Sequence, residues 1–85
     1  MSKERTETHI RVVQDTMALE RQILRATWQN HEFMGQRKGQ ALMNALHSVA
    51  PELYDIISGT DDDCFYDDGK IDQTFGVLGF VRKVI

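Results

Sequence analysis

The sequence predicts an all-α fold: a small bundle of three to four helices with a long N-terminal helix and an ordered acidic loop. Three observations carry that reading. The stretch from about Thr6 to Asn30 contains neither glycine nor proline and is rich in good helix formers. The single proline, Pro51, stands where it can begin a helix instead of breaking one. Residues 61–72 crowd six aspartates around the pair Phe65-Tyr66, a composition foreign to a solvated tail.

The first helix carries two apolar stripes at 100° per residue. Ile10, Val13, Met17, Leu24 and Trp28 form one; Val12, Leu19, Ile23 and Ala26 form the other. His9, Thr16, Glu20 and Thr27 separate them. A surface helix needs one such stripe. Two imply either deep embedding in the chain's own core or contact with a second copy. A turn follows at Asn30–Gly35, where Phe33 and Met34 are expected to dock on the core. The second helix runs from about Gln36 to Val49 with Leu42, Ala45, Leu46 and Val49 as its apolar face. Pro51 to Ile57 forms a short third helix, favoured at its start by Glu52 and ended by Gly59. The fourth element begins near Asp72 as N-cap and presents Ile71, Phe75, Leu78 and Ile85 on one face. Arg82 and Lys83 would complement its dipole, whereas Gly76, Gly79, Val77, Val81 and Val84 leave a strand as the alternative.

Length and composition narrow the classes of function. Eighty-five residues make one small domain, 1–85, with a modest core that oligomerisation often supplements. No apolar run approaches the roughly 18 residues that would suggest a membrane span. The first residues have no apolar signal region, so the expected compartment is cytoplasmic. One cysteine excludes an intrachain disulfide and a multi-cysteine metal site. The net charge of −3 is unevenly divided: residues 1–38 carry seven Lys/Arg against five Asp/Glu, and residues 39–85 carry three against eight. The acidic half repels phosphate, which argues against direct nucleic-acid binding and for a basic protein surface as partner.

The side chains that could do chemistry point away from an enzyme. An EF-hand loop with Gly69 as its glycine would need its first ligand at residue 64, which is Cys64. A calcium site of another kind could draw on Asp61, Asp63 and Asp67. The alternative is structural: Asp61 or Asp63 holds loop amides, Asp68 turns with Gly69, and Asp72 caps the last helix. His9, His31 and His47 lie in separate segments and with Cys64 match no zinc spacing. Negative neighbours raise a thiol's pKa, so Cys64 is a poor nucleophile and a better small buried side chain. No cofactor or metal is expected. Arg37, Gln40, Asn44 and His47 share a face of the second helix; the face is either solvated, or Gln40 and Asn44 bond the acidic loop or a partner.

Gly39-Gln40-x-Leu42-x-Asn44-x-Leu46, Pro51, Gly59-Thr60, Asp63-x-Phe65-Tyr66-x-Asp68 and Ile71, in that order, resemble a pattern in short proteins of tailed phages and prophages. The resemblance covers roughly residues 36–75. Relatives often carry proline where this chain has Cys64, a departure that concerns the loop's shape and not the fold. It brings no catalytic residue. It implies a context in which small proteins bind and inhibit host machinery, including defence systems. The resulting expectation is a non-enzymatic inhibitor of a host protein, anti-CRISPR or similar in its sharpest form. Asp61, Asp62, Asp67, Arg37, Gln40 and Asn44 would meet the partner, and Phe65 and Tyr66 would hold the loop. The alternative is a homo-oligomeric ligand-binding or sequestering module assembled through the first helix.

Overall fold

A computed structural model describes residues 3–79, with side chains from Met17 onward. Four α-helices follow one another: α1 (Lys3–Met34), α2 (Lys38–Val49), α3 (Pro51–Ile57) and α4 (Ile71–Leu78), with a 3-10 turn at Asp68–Lys70. The protein is a small all-α bundle, and no strand occurs among the described residues. At about 1.5 Å per residue, a 32-residue helix is about 48 Å long. The molecule's longest dimension is 49 Å, so α1 spans it from end to end. The expected second-helix start at Gln36 moves to Lys38, because Gly35 takes a left-handed φ of +68° and the chain needs two further residues to reverse.

The core is the inner face of α2 closed on three sides. Leu42, Met43, Ala45 and Leu46 are buried against Ile23 of α1, Ala50 and Ile57 around α3, Cys64 of the loop and Phe75 of α4. Leu19, Leu24, Ala26, Val49, Leu53, Tyr54, Ile71 and Leu78 pack around this centre. Pro51 sits at the start of α3 as expected, with Ala50 ending α2 and preceding α3 at once. The fourth element is a helix, not a strand, but its N-cap is Lys70; Asp72 lies in the first turn, where its charge still favours the helix dipole. Val81, Arg82, Lys83, Val84 and Ile85 lie outside the described residues.

The packing of α1 corrects two expectations. Of its described side chains, Glu20, Ile23 and Thr27 are the buried ones, spaced three and four apart. Two of the polar residues expected to separate the stripes therefore sit in the contact seam. Thr27 tolerates this because its hydroxyl donates to the Ile23 carbonyl at 2.7 Å within the helix. The stripe of Leu19, Ile23 and Ala26 faces the core, whereas Met17 and Trp28 of the other stripe remain about half exposed. Phe33 and Met34 do not dock on the core: they are 72% and 69% exposed, and Phe33 instead meets Trp28 edge to face with ring centroids 5.2 Å apart. The turn is held by polar groups. Gln36 N–H donates to Asn30 O at 3.2 Å, Asn30 Nδ2 donates to Ala41 O at 3.2 Å, and His31 Nδ1 lies 2.8 Å from Gln36 O. A carbonyl only accepts, so that His31 nitrogen carries the proton.

Candidate functional site

The acidic segment is an ordered loop in which individual carboxylates have separate tasks. Gly59, at φ +78°, turns the chain out of α3. Asp63 spans the next turn: its Oδ2 accepts from Gly59 N–H at 2.8 Å and its Oδ1 from Phe65 N–H at 2.9 Å. Asp67 Oδ1 accepts from Gly69 N–H at 2.9 Å, the local turn expected of Asp68. Asp68 works at long range. Its Oδ1 accepts from Gly39 N–H in the first turn of α2 at 2.9 Å and lies 3.6 Å from Arg37 Nη1. A carboxylate at a helix N-terminus satisfies an unpaired amide and complements the dipole. Arg37 Nη2 also donates to Phe65 O at 2.8 Å, so one guanidinium bridges a loop carbonyl and a loop carboxylate.

Helix α4 holds the other side of the loop. Thr74 Oγ1 donates to Asp62 O at 2.5 Å and lies 3.1 Å from Lys70 O. Gln73 Nε2 donates to Asp61 O at 3.1 Å and to Asp62 Oδ1 at 2.7 Å. Gln73 and Thr74 were not singled out from sequence, and nothing in their spacing marks them. The repulsion among the aspartates is thus offset by amide donors, one helix N-terminus and one guanidinium. Asp61 and Asp67 are exposed, and no cation pairs with Asp61, Asp62, Asp63 or Asp67 among the described residues.

The first turn of α2 lies close against the backbone of this loop. A Cβ on Gly39 would stand 2.0 Å from Cys64 O and 2.9 Å from Asp68 Oδ1. Only glycine lets the first turn of α2 lie this near the loop backbone. Cys64 is fully buried beside it, with its thiol 3.5 Å from Gly39 O. Burial pushes the Cys64 thiol up from its ordinary value, and the charges of Asp63 and Asp68 add to the rise. A buried, protonated thiol here is a packing element. Among the described residues no three His, Cys, Asp or Glu side chains converge on a point that could hold a metal ion.

The structure separates the residues expected to bind a partner. Asp61 and Asp67 face outward; Asp62 is partly covered and bonded to Gln73. Arg37 is committed to Phe65 and Asp68. Gln40 and Asn44 do not bond the loop: Gln40 Oε1 accepts from Arg37 N–H at 3.3 Å, and Asn44 Nδ2 donates to Gln36 Oε1 at 3.1 Å. Both amides are used at the start of their own helix. His47 stacks edge to face on Tyr54, with centroids 4.8 Å apart. The expected pair of loop-holding rings also divides. Phe65 packs against the core, but Tyr66 is 86% exposed and touches Phe65 edge to face at 4.7 Å.

Two concavities flank these elements. One, of about 270 Å³, is lined by Met43, Tyr54, Ser58, Gly59, Asp63, Phe65 and Tyr66. The other, about 380 Å³, is an apolar groove between Leu19 of α1 and the Val49–Leu53 corner. Among the described residues no helix is long and apolar enough to cross a membrane. No family model, curated protein or solved structure matches the chain.

Proposed function

We propose that this is a phage-type accessory protein that acts by binding: it docks its acidic loop on a basic surface of a host protein and inhibits that protein. Defence machinery, a CRISPR effector included, is the sharpest form of the target. The observation that supports this reading is the division of labour in the loop. Its backbone is fixed by Asp63, Asp68, Arg37, Gln73 and Thr74, while Asp61, Asp67 and Tyr66 are presented outward from that fixed frame. A rigid frame loses little entropy on binding, and outward negative charge steers a basic partner. The resemblance of its motif order to short phage proteins supports a host-directed role.

Immobilised protein exposed to host lysate tests this. The expected result is a captured protein with a basic surface, released by raising salt and lost with the double variant Asp61→Asn/Asp67→Asn. Asparagine preserves the Asp67 turn while removing its charge. Failure to capture any protein, or capture unaffected by the double variant and by salt, refutes the reading.

A second reading, a homo-oligomeric module joined through α1, is supported by the half-exposed Met17 and Trp28 beside the exposed Phe33. The two readings separate on what travels with the purified protein: a small ligand and a stable oligomer for the second, a foreign protein for the first.

A further inference from the structure

The cleft between α3 and the loop has the makings of a cation-recognition site. Tyr54, Phe65 and Tyr66 line it, Met43 lies at its base, and Asp63 supplies a carboxylate. Its volume of about 270 Å³ is below the roughly 300–1,000 Å³ of ordinary small-molecule pockets, a size suited to one side chain. Phe65 and Tyr66 stand at 68° to each other with centroids 4.7 Å apart, so a flat group stacked on one ring turns its edge toward the other. Each Asp63 oxygen accepts one backbone N–H, which leaves further lone-pair capacity on both. No cation is paired with Asp63 among the described residues. Tyr66 is 86% exposed and meets Phe65 edge to face, so most of its ring is open to a partner.

We infer that this cleft receives an arginine side chain of the partner, its guanidinium stacked on the loop aromatics and hydrogen-bonded to Asp63. Arginine fits better than a neutral or apolar side chain because the lining combines ring faces with a carboxylate. A guanidinium is planar, weakly hydrated and able to use both at once. The surrounding aspartates reinforce the choice of charge. The inference rests on the proposed docking of a basic partner and assigns to that docking its central contact.

The test uses the whole chain and a small probe, so that the cleft can fail independently of the host-binding reading. Isotope-labelled protein is titrated at low salt with N-acetyl-arginine amide and, separately, with N-acetyl-citrulline amide, its neutral isostere. The expected result is saturable amide shifts at Ser58, Gly59, Phe65 and Tyr66 with the arginine probe, and binding about tenfold weaker with citrulline. Tyr66→Ala, at a site that contributes little to the fold, should weaken the arginine probe about two- to fivefold. Phe65→Leu, which keeps apolar bulk, should weaken it as well. Equal response to citrulline, shifts spread over all the aspartates, or unchanged binding in both variants would overturn the inference. If the cleft stays silent while lysate capture persists, the partner docks elsewhere on the loop. If the cleft binds arginine but nothing is captured, the cleft stands and the host-directed reading fails.

Discussion

Helix α1 and residues 59–70 are held to the same core by different means. Among its described side chains, α1 contributes one seam, Glu20–Ile23–Thr27, and its flank at Met17 and Trp28 remains open. The loop contributes one fully buried side chain, Cys64, and the partly buried Phe65, and is fixed chiefly by directed bonds from Arg37, Asp63, Asp67, Asp68, Gln73 and Thr74. Apolar packing is tolerant of direction but depends on volume; a hydrogen-bonded loop is the reverse. Substitutions that change volume should therefore act through α1. Substitutions that change geometry or a single acceptor should act through the loop.

The largest effect is expected where the seam meets the core. Ile23→Ala removes a fully buried side chain and should cost about 2–5 kcal/mol in chemical denaturation. On the same helix, Met17→Gln with Trp28→Gln should cost less than Ile23→Ala, chiefly about 0.5–1.5 kcal/mol for the lost Trp28–Phe33 edge-to-face contact. That pair should instead abolish self-association if α1 joins two copies. Sedimentation at micromolar concentration decides this: a wild-type dimer that the pair converts to a folded monomer confirms the interface. A wild type that is already monomeric refutes it. Polar residues at Leu19 and Ile23 would not serve, because both pack into or against the core and the fold itself would suffer.

The second contrast uses two helical glycines. Gly39→Ala places a methyl against the Cys64 carbonyl, which is backbone and cannot swing aside. A net loss of about 1–3 kcal/mol is expected, even after alanine's better helix propensity. Gly76→Ala meets nothing within 4 Å on an exposed face of α4 and should gain about 0.5–1 kcal/mol. Opposite signs at two helical glycines would show that close approach, not helix propensity, governs the junction of α2 with the loop. A neutral Gly39→Ala would show that the loop can move away from α2 at little cost.

The helices were readable in the sequence because their signals are local. An uninterrupted run of helix formers, Pro51 before an apolar turn, and Gly59 after it each act within a few residues. Pro51–Ile57 accordingly falls where the sequence places it. The loop's chemistry was readable in kind but not in assignment. Asp63 holds amides as expected, yet the turn expected of Asp68 is made by Asp67, because Asp68 reaches 29 residues back to Gly39. Such a distal cap has no sequence signature. The same reason hid Gln73 and Thr74, whose partners lie 11 or 12 residues away. Phe33, Met34 and Tyr66 were misplaced through one assumption, that a large apolar or aromatic side chain at a turn must dock inward. Asn30 and His31 hold the first turn with polar bonds, and Arg37 with Asp63 hold the second, so the rings were not needed.

A single acceptor is the next test of the loop. Asp68→Ala removes the carboxylate from the α2 N-terminus and leaves the Gly39 N–H and the Arg37 guanidinium without it. A loss of about 1 kcal/mol is expected, within the roughly 0.5–2 kcal/mol typical of a lost helix cap. Asp68→Asn keeps an acceptor and should lose less. The expected order of melting temperatures is wild type, Asp68→Asn, then Asp68→Ala. Equal melting of all three would mean that the backbone of the loop, and not this carboxylate, positions α2.

The smallest effect is a dependence on alkaline pH carried by Cys64. An unfolded chain releases its thiol proton near a pKa of about 8.5. In the folded chain burial, with Asp63 and Asp68 behind it, raises that value, so the folded state keeps the proton over a further range. Below about pH 8.5 both states are protonated and the thiol has no influence on the slope. As pH rises from there toward the folded-state value, the folded protein binds more protons than the unfolded one, and its stability relative to unfolding falls. Denaturant midpoints at pH 7, 8, 9 and 10 should therefore decline more steeply for the wild type than for Cys64→Ala. Reaction of Cys64 with a thiol reagent supplies the matching kinetic measure. If the loop closes over α2 as one unit, labelling at pH 8 should be slow, and Gly39→Ala, which pries that contact apart, should accelerate it more than Ile23→Ala does after correction for global stability. Labelling as fast as a free thiol, with identical pH slopes for wild type and Cys64→Ala, would place Cys64 outside the closed contact and remove the loop's one buried side chain from the comparison.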